Sequence, residues 1–419
     1  MIKWIEDLKH RHNQGKGVLG LLKFIGPGIL VTVGFIDPGN WATNISAGSE
    51  FGYSLLWVVT LSTIILILLQ HNAAHLGIVT GKCLSESATS HLNKKVSIPI
   101  LSSAMLAAIS TTFAELLGGA IALQILFKIP VFLGALIMCV GVSLFTFNNA
   151  YSKIEKVIIS FVSIIGFSFI FELTIVNPDW GIVAHDAFVP SFPPNSLYVI
   201  LGVIGAVVMP HNLYLHSEVI QSRQWNLEEE HVIKKQLKYE FLDTIFSMGI
   251  GWIINSAMII LAAAVFFKNN QNVSDITEAS QLLTPFLGKF ATIIFALAFL
   301  FAGIASSVTA GMSGGIIFSG MFSEAYNIKD IHSKVGVFIT MIPATILIFF
   351  VKNNMEALIL SQVVLSFQLP ITVCLLVYLT SSKKVMGKYA NRSFSKMVLW
   401  AIALGISILN IWLIIAEFF

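Results

Sequence analysis

Residues 34–44 read Gly-Phe-Ile-Asp-Pro-Gly-Asn-Trp-Ala-Thr-Asn. A carboxylate, a proline, a glycine and a carboxamide thus interrupt a run of apolar side chains. In a soluble core Asp37-Pro38-Gly39-Asn40 would be an ordinary turn between two elements. In a bilayer it is costly, because no water is present to satisfy the backbone of a broken helix. The surrounding composition decides between these solvents. Hydrophobic residues make up 56% of the 419-residue chain and charged residues 11%, against roughly 25% charged in ordinary soluble domains. Mean hydropathy is +0.83. These values describe a polytopic membrane protein. The charged N-terminus (MIKWIEDLKHRH) lacks the apolar stretch and cleavage site of a secretory signal. Cys83, Cys139 and Cys374 are scattered without a paired spacing and read as packing residues with no redox or metal role.

Hydropathy predicts eleven membrane helices, at about 24–47, 53–78, 98–127, 129–148, 157–176, 196–220, 240–267, 284–322, 334–351, 355–380 and 396–418. The charges test this layout. With the N-terminus in the cytoplasm, 21 of the 25 lysines and arginines fall on the cytoplasmic side, the exceptions being Lys128, Lys268, Lys289 and Lys352. That is the distribution the positive-inside rule demands. The net charge of +3 is therefore an expression of topology, not a footprint for nucleic acid. The expected location is the cell (inner) membrane, with the C-terminus outside.

Five spans return the chain to the opposite side, so a second set of five would be inverted relative to the first. If so, the sixth span should mirror the first. It reads Gly-Val-Ile-Gly-Ala-Val-Val-Met-Pro-His-Asn-Leu-Tyr-Leu-His-Ser-Glu-Val over residues 202–219. Pro210, again mid-span among polar residues, stands 172 positions after Pro38. The expected organisation is a cytoplasmic segment 1–23, a first repeat 24–176, a second inverted repeat 196–380 and an additional helix 396–419.

Proline removes a backbone donor and clashes with the preceding turn, and glycine admits conformations closed to other residues. Helix breaks are thus expected at Pro38-Gly39 and at Pro210. Irregular backbone at that depth is tolerated where it lines a cavity, and an intramembrane carboxylate such as Asp37 marks function by default. Asp37, Asn40, the Ala206 carbonyl and Met209 would form a cation site with one negative charge. Oxygen ligands alone suit Mg²⁺ or Ca²⁺, whereas a thioether favours softer transition metals. The plainer alternative for either proline is a packing kink.

The pair Asp-Pro-Gly-Asn and Met-Pro-His-Asn resembles the Nramp (natural resistance-associated macrophage protein) family of divalent metal transporters. Gly26-Pro27-Gly28, the stretch AGSEFGYSLLWV from Ala47 and SQVVLSFQLP from Ser361 extend the resemblance over nearly the whole chain. It implies a LeuT-like fold and proton-coupled, alternating-access uptake of Mn²⁺ or Fe²⁺, with Cd²⁺ and Co²⁺ as further candidates. It also implies metal ligation by Asp37, Asn40, Ala206 and Met209, joined in some states by Gln362, and a proton route through Asp37, His211 and Glu115. Five positions depart from the family pattern: Thr112 replaces a second acidic residue, His332 and Ser333 replace a pair of arginines, and Gly315 and Ser319 replace a Gln and a Glu. The metal set is intact and the proton-exit network is thinned.

Glu115 lies in an apolar span and must face protein or water if ionised. His211 reads as a proton acceptor rather than a metal ligand, and His216 as structural. His71 and His75, spaced i, i+4, read as interfacial polar residues. Asn255 is expected to hydrogen-bond across helices and brace the broken first span. Asp243, near the predicted start of the seventh span, is expected to pair with basic residues or assist a gate.

The alternatives are a Mg²⁺ or broad divalent carrier with weak or no proton coupling, an amino-acid carrier on the same architecture, and an intramembrane metallo-enzyme. The last is disfavoured because His211 and His216 are spaced i, i+5 with no glutamate between them. The expected partners are the ion, protons and lipid, with no nucleic acid and no resident cofactor, and a monomer is compatible with this reading.

Overall fold

In the computed structural model the described residues are 36–148, 178–220, 227–271, 275–283 and 291–418, with single positions at 166, 169, 171, 173, 174, 176 and 273. The segment 1–23, Gly26-Pro27-Gly28, the first half of the first span and most of the fifth lie outside them. Every regular element among these residues is a helix. α1 spans Pro38–Phe51, α2 Leu56–Thr80, α3 Leu84–His91, α4 Lys94–Phe127 and α5 Val131–Asn148. α6 spans Leu197–Val207, α7 Pro210–Val219, α8 Glu230–Val265, α9 Ala291–Met321, α10 Ile331–Ile348, α11 Asn354–Thr380 and α12 Ser393–Phe418.

Nine of the eleven expected spans are present among the described residues as helices long and apolar enough to cross a membrane, α6 and α7 counting together. The largest difference is in the seventh. α8 begins at Glu230, ten residues before the predicted start, because its first turns are held in water by charge pairs such as Lys234 Nζ to Glu230 Oε1 at 2.7 Å. Apolarity marks where a helix enters the bilayer, not where it begins. Asp243 is therefore well inside a helix and buried, rather than at its start.

Local chemistry places the ends. Asp37 has extended backbone (φ −84°, ψ 165°), caps α1 and is followed by proline at the first helical position, the residue whose missing N–H is least costly there. α2 stops at Gly81, whose left-handed φ of 66° lets its N–H bond the Gly77 carbonyl at 3.0 Å. α6 stops at Val208 and α7 restarts at Pro210. By contrast Pro99, Pro343 and Pro370 sit inside continuous helices.

α4 and α9 run against each other over much of their length, and α1, α6 and α11 pack together at the centre with α8 behind α1. α5 and α12 are peripheral. Their outward faces, including Leu133, Ile137, Val140 and Leu144 on α5 and Leu404, Ile408, Ile411 and Ile415 on α12, are exposed and apolar, as a lipid-facing surface requires.

Candidate metal centre

The two breaks meet. Ala206 lies in the last turn of α6, and the N–H that would pair with its carbonyl belongs to residue 210, a proline. The orphaned carbonyl accepts instead from Asn40 Nδ2 at 2.9 Å. The same Nδ2 donates to Asp37 Oδ2 at 3.0 Å, and the Asn40 backbone N–H donates to Asp37 Oδ1 at 2.7 Å. One carboxamide therefore ties a carboxylate at the head of α1 to a carbonyl at the tail of α6. Asp37, Asn40, Ala206 and Met209 are all fully buried.

Met209 bridges the halves of the second break and caps α7. Its Sδ accepts from Asn212 Nδ2 at 3.5 Å, so the last residue of Met-Pro-His-Asn orients the thioether. Sequence reasoning missed Asn212. The signal available for it was its spacing, since residue i+3 on a helix reaches back over the cap. Gln362 on α11 reaches both breaks. A Cβ at Gly39 would collide with the Gln362 amide, and one at Gly205 with the Gln362 backbone carbonyl. Glycine at these two positions is what lets α1 and α6 close onto α11. The Gln362 amide donates to Ser361 Oγ at 2.9 Å, while its Oε1 has no hydrogen-bond partner among the described residues.

Glu115 on α4 is buried, accepts from Ser306 on α9 and more distantly from Thr111 at 3.4 Å, and lies within electrostatic range of Asp37. One turn on, Gly118 packs directly against Pro38. Ser306 is a second residue that the sequence did not flag; nothing local distinguishes it from the other small polar residues of α9. His211 is buried, and its Nδ1 has no hydrogen-bond partner among the described residues. Behind the break, Trp41 donates to the Ile36 carbonyl at 3.1 Å and sits edge-on to Phe169 and Phe295 at 5.1 and 5.2 Å, an apolar plug beside the polar cluster.

The remaining expectations fall around this centre. Asn255 on α8 accepts from Asn44 Nδ2 on α1 at 2.7 Å. Asp243 accepts from Ser247 at 3.3 Å. His216 pairs with Gln70 at 2.8 Å. His71 is not merely interfacial: its Nδ1 contacts the buried Glu240 carboxylate at 2.5 Å, and its ring stacks on His75. Thr112 gives its proton to the Ala108 carbonyl at 2.8 Å, Ser333 accepts from the Asn327 N–H at 3.0 Å, and His332 pairs with Glu324 at 2.8 Å.

A helix tail whose carbonyl has lost its helical partner, a buried carboxylate, a carboxamide and a thioether can together hold a dehydrated cation of borderline softness. Residues 28–416 match the family model for natural resistance-associated macrophage protein-like chains. The chain belongs to the Nramp family. A protein of Listeria welshimeri named divalent metal cation transporter MntH is 40% identical over 94% of this chain and 90% of its own length. A protein of the same name from a Nostoc species is 38% identical over 94% and 91%. The manganese transporter of Eremococcus coleocola, a solved structure, superposes with a TM-score of 0.82 at 28% identity, covering 95% of this chain and 87% of that one. A nucleobase–cation symporter shares the fold with a TM-score of 0.62 at 16% identity, over 92% and 88%. This Nramp chain thus has the LeuT-like architecture that its paired breaks imply, and the family is one of transporters, not enzymes.

Proposed function

We propose that this Nramp chain imports divalent transition-metal ions, Mn²⁺ and Fe²⁺ foremost and Cd²⁺ or Co²⁺ in addition, as transported substrate. The observation that carries this reading is the Asn40 clamp. Its amide hydrogens point at Asp37 and at the Ala206 carbonyl, the place where positive charge belongs. An entering cation takes over both oxygens as the amide turns Oδ1 toward it, with Met209 supplying a soft ligand and Gln362 joining in some states. The relatives' names point the same way.

Alternating access follows from rocking the two repeats, 24–176 and 196–380, about this point, with the cytoplasmic N-terminus and outer C-terminus set by the charge bias in the cell membrane. Membrane potential draws the ion inward by about 2.3 kcal/mol per elementary charge per 100 mV. Proton symport would run through Asp37, His211 and Glu115. Asn255 braces α1, and Asp243, buried on α8, contributes to a gate.

One set of contacts favours a second reading of the energetics. Thr112, Ser333 and His332 spend their polar atoms on local partners, which leaves Glu115 to carry the exit of protons from the α4 side and favours loose coupling. Proteoliposomes loaded with a metal-sensitive dye and a pH dye separate these readings. Mn²⁺ entry abolished in Asp37→Ala, with acidification in step, supports symport. Entry without acidification supports the uncoupled carrier, and no entry under any gradient refutes metal transport.

A further inference from the structure

A second group of metal-ligating side chains lies at the other end of α7. Glu218 stands nine residues beyond Met209 on the same stretch of chain, about 13 Å along a helix at 1.5 Å per residue. Its carboxylate meets Cys83 and Glu86 of α3. The ligand atoms of the three residues lie within 4.8 Å of one another, Cys83 and Glu86 buried and Glu218 largely so.

The group is built, not a chance approach of exposed acids. The Ser217 hydroxyl accepts from the Leu84 N–H at 2.9 Å, which pins the head of α3 to the tail of α7. Ser85 donates to the Ile316 carbonyl at 2.9 Å, which pins the same turn to α9. Glu86 accepts from the Cys83 N–H at 2.8 Å, and Glu218 accepts from the Tyr326 N–H. Each carboxylate is therefore oriented by a backbone donor, and Glu218 also accepts from the Cys83 thiol, the kind of outer-shell support that ligating carboxylates have.

A further observation points to a ligand. Tyr214, one turn before Glu218 on the same face of α7, is fully buried within electrostatic reach of Cys83, and among the described residues its hydroxyl has only Thr372 beside it and no well-formed hydrogen bond. Thr372 stands beside it but donates its own proton to Gln368 at 2.9 Å.

We propose that Cys83, Glu86 and Glu218 form a second divalent-cation site, separate from the one at the helix breaks and on the cytoplasmic side of it. One thiolate and two carboxylates suit borderline ions such as Zn²⁺, Co²⁺, Cd²⁺ and Fe²⁺ over Mg²⁺ or Ca²⁺. Binding displaces the Cys83 thiol proton to solvent and forms the metal–sulfur bond. Cys83 thus acquires the metal role that its isolation in the sequence denied it.

Co²⁺ titration of the Asp37→Ala protein in nanodiscs tests this, since that background removes the central site and makes the outcome independent of the transport reading. The expected result is a thiolate-to-cobalt charge-transfer band saturating at one ion per chain. It disappears in Cys83→Ser and persists in Cys139→Ser and Cys374→Ser. Glu86→Gln and Glu218→Gln each weaken binding roughly 10- to 100-fold. No band in the Asp37→Ala protein, or a band indifferent to Cys83→Ser, overturns the proposal. If Cys83→Ser does not fold, unchanged Co²⁺ affinity in both glutamine variants overturns it equally.

Discussion

Pro210 and Pro370 present the same backbone problem and receive different answers. Each removes the donor for the carbonyl four residues earlier. In α11 the carbonyl of Ser366 is taken by Asn410 Nδ2 at 2.7 Å, the Ser366 hydroxyl returns a bond to Asn410 Oδ1 at 2.9 Å, and the helix runs on unbroken. At the second break the carbonyl of Ala206 is also taken by an asparagine, yet the helix ends, and that asparagine is bonded to a carboxylate as well. A mid-span proline therefore does not by itself make a site. What distinguishes Pro210 is a buried charge, Asp37, brought opposite the freed carbonyl by a second break.

The substitutions that probe this contrast rank by what they remove. Asp37→Asn keeps the shape and deletes the charge. Mn²⁺ uptake in proteoliposomes should fall by about 100-fold or more, as expected for losing charge-assisted contacts of ~3 kcal/mol. Pro210→Ala restores a donor for Ala206 and withdraws one ligand, so uptake should drop about tenfold, near 1.4 kcal/mol. Pro370→Ala should change uptake little. Met209→Ala should lower Mn²⁺ uptake several-fold while Mg²⁺ and Ca²⁺ become better competitors, because the remaining ligands are hard oxygens; metal-competition assays check this. Asn410→Ala should lower the unfolding stability by about 1 kcal/mol without altering metal selectivity, as read by a thermal shift assay alongside uptake.

Much of this was legible in the sequence because the decisive features are local. A proline four residues after a carbonyl orphans it wherever it occurs, and Asp37 and Met209 stand beside their prolines in the chain. Apolar runs located the nine described spans for the same reason. What stayed hidden depends on pairs far apart in sequence. The hydroxyl that Ser306 gives Glu115, the His71–Glu240 contact and the meeting of Cys83 with Glu218 are created by packing, and no periodicity encodes them. The ten extra residues at the head of α8 were missed because charge pairs, not apolarity, hold them.

The most direct test of the central claim is anomalous diffraction from crystals soaked in Mn²⁺. A manganese peak is expected within the Asp37 carboxylate, Asn40 Oδ1, the Ala206 carbonyl and Met209 Sδ, absent in Asp37→Ala crystals. Crystals that bind manganese elsewhere and leave the Asn40 clamp closed, in wild type and variant alike, would contradict it.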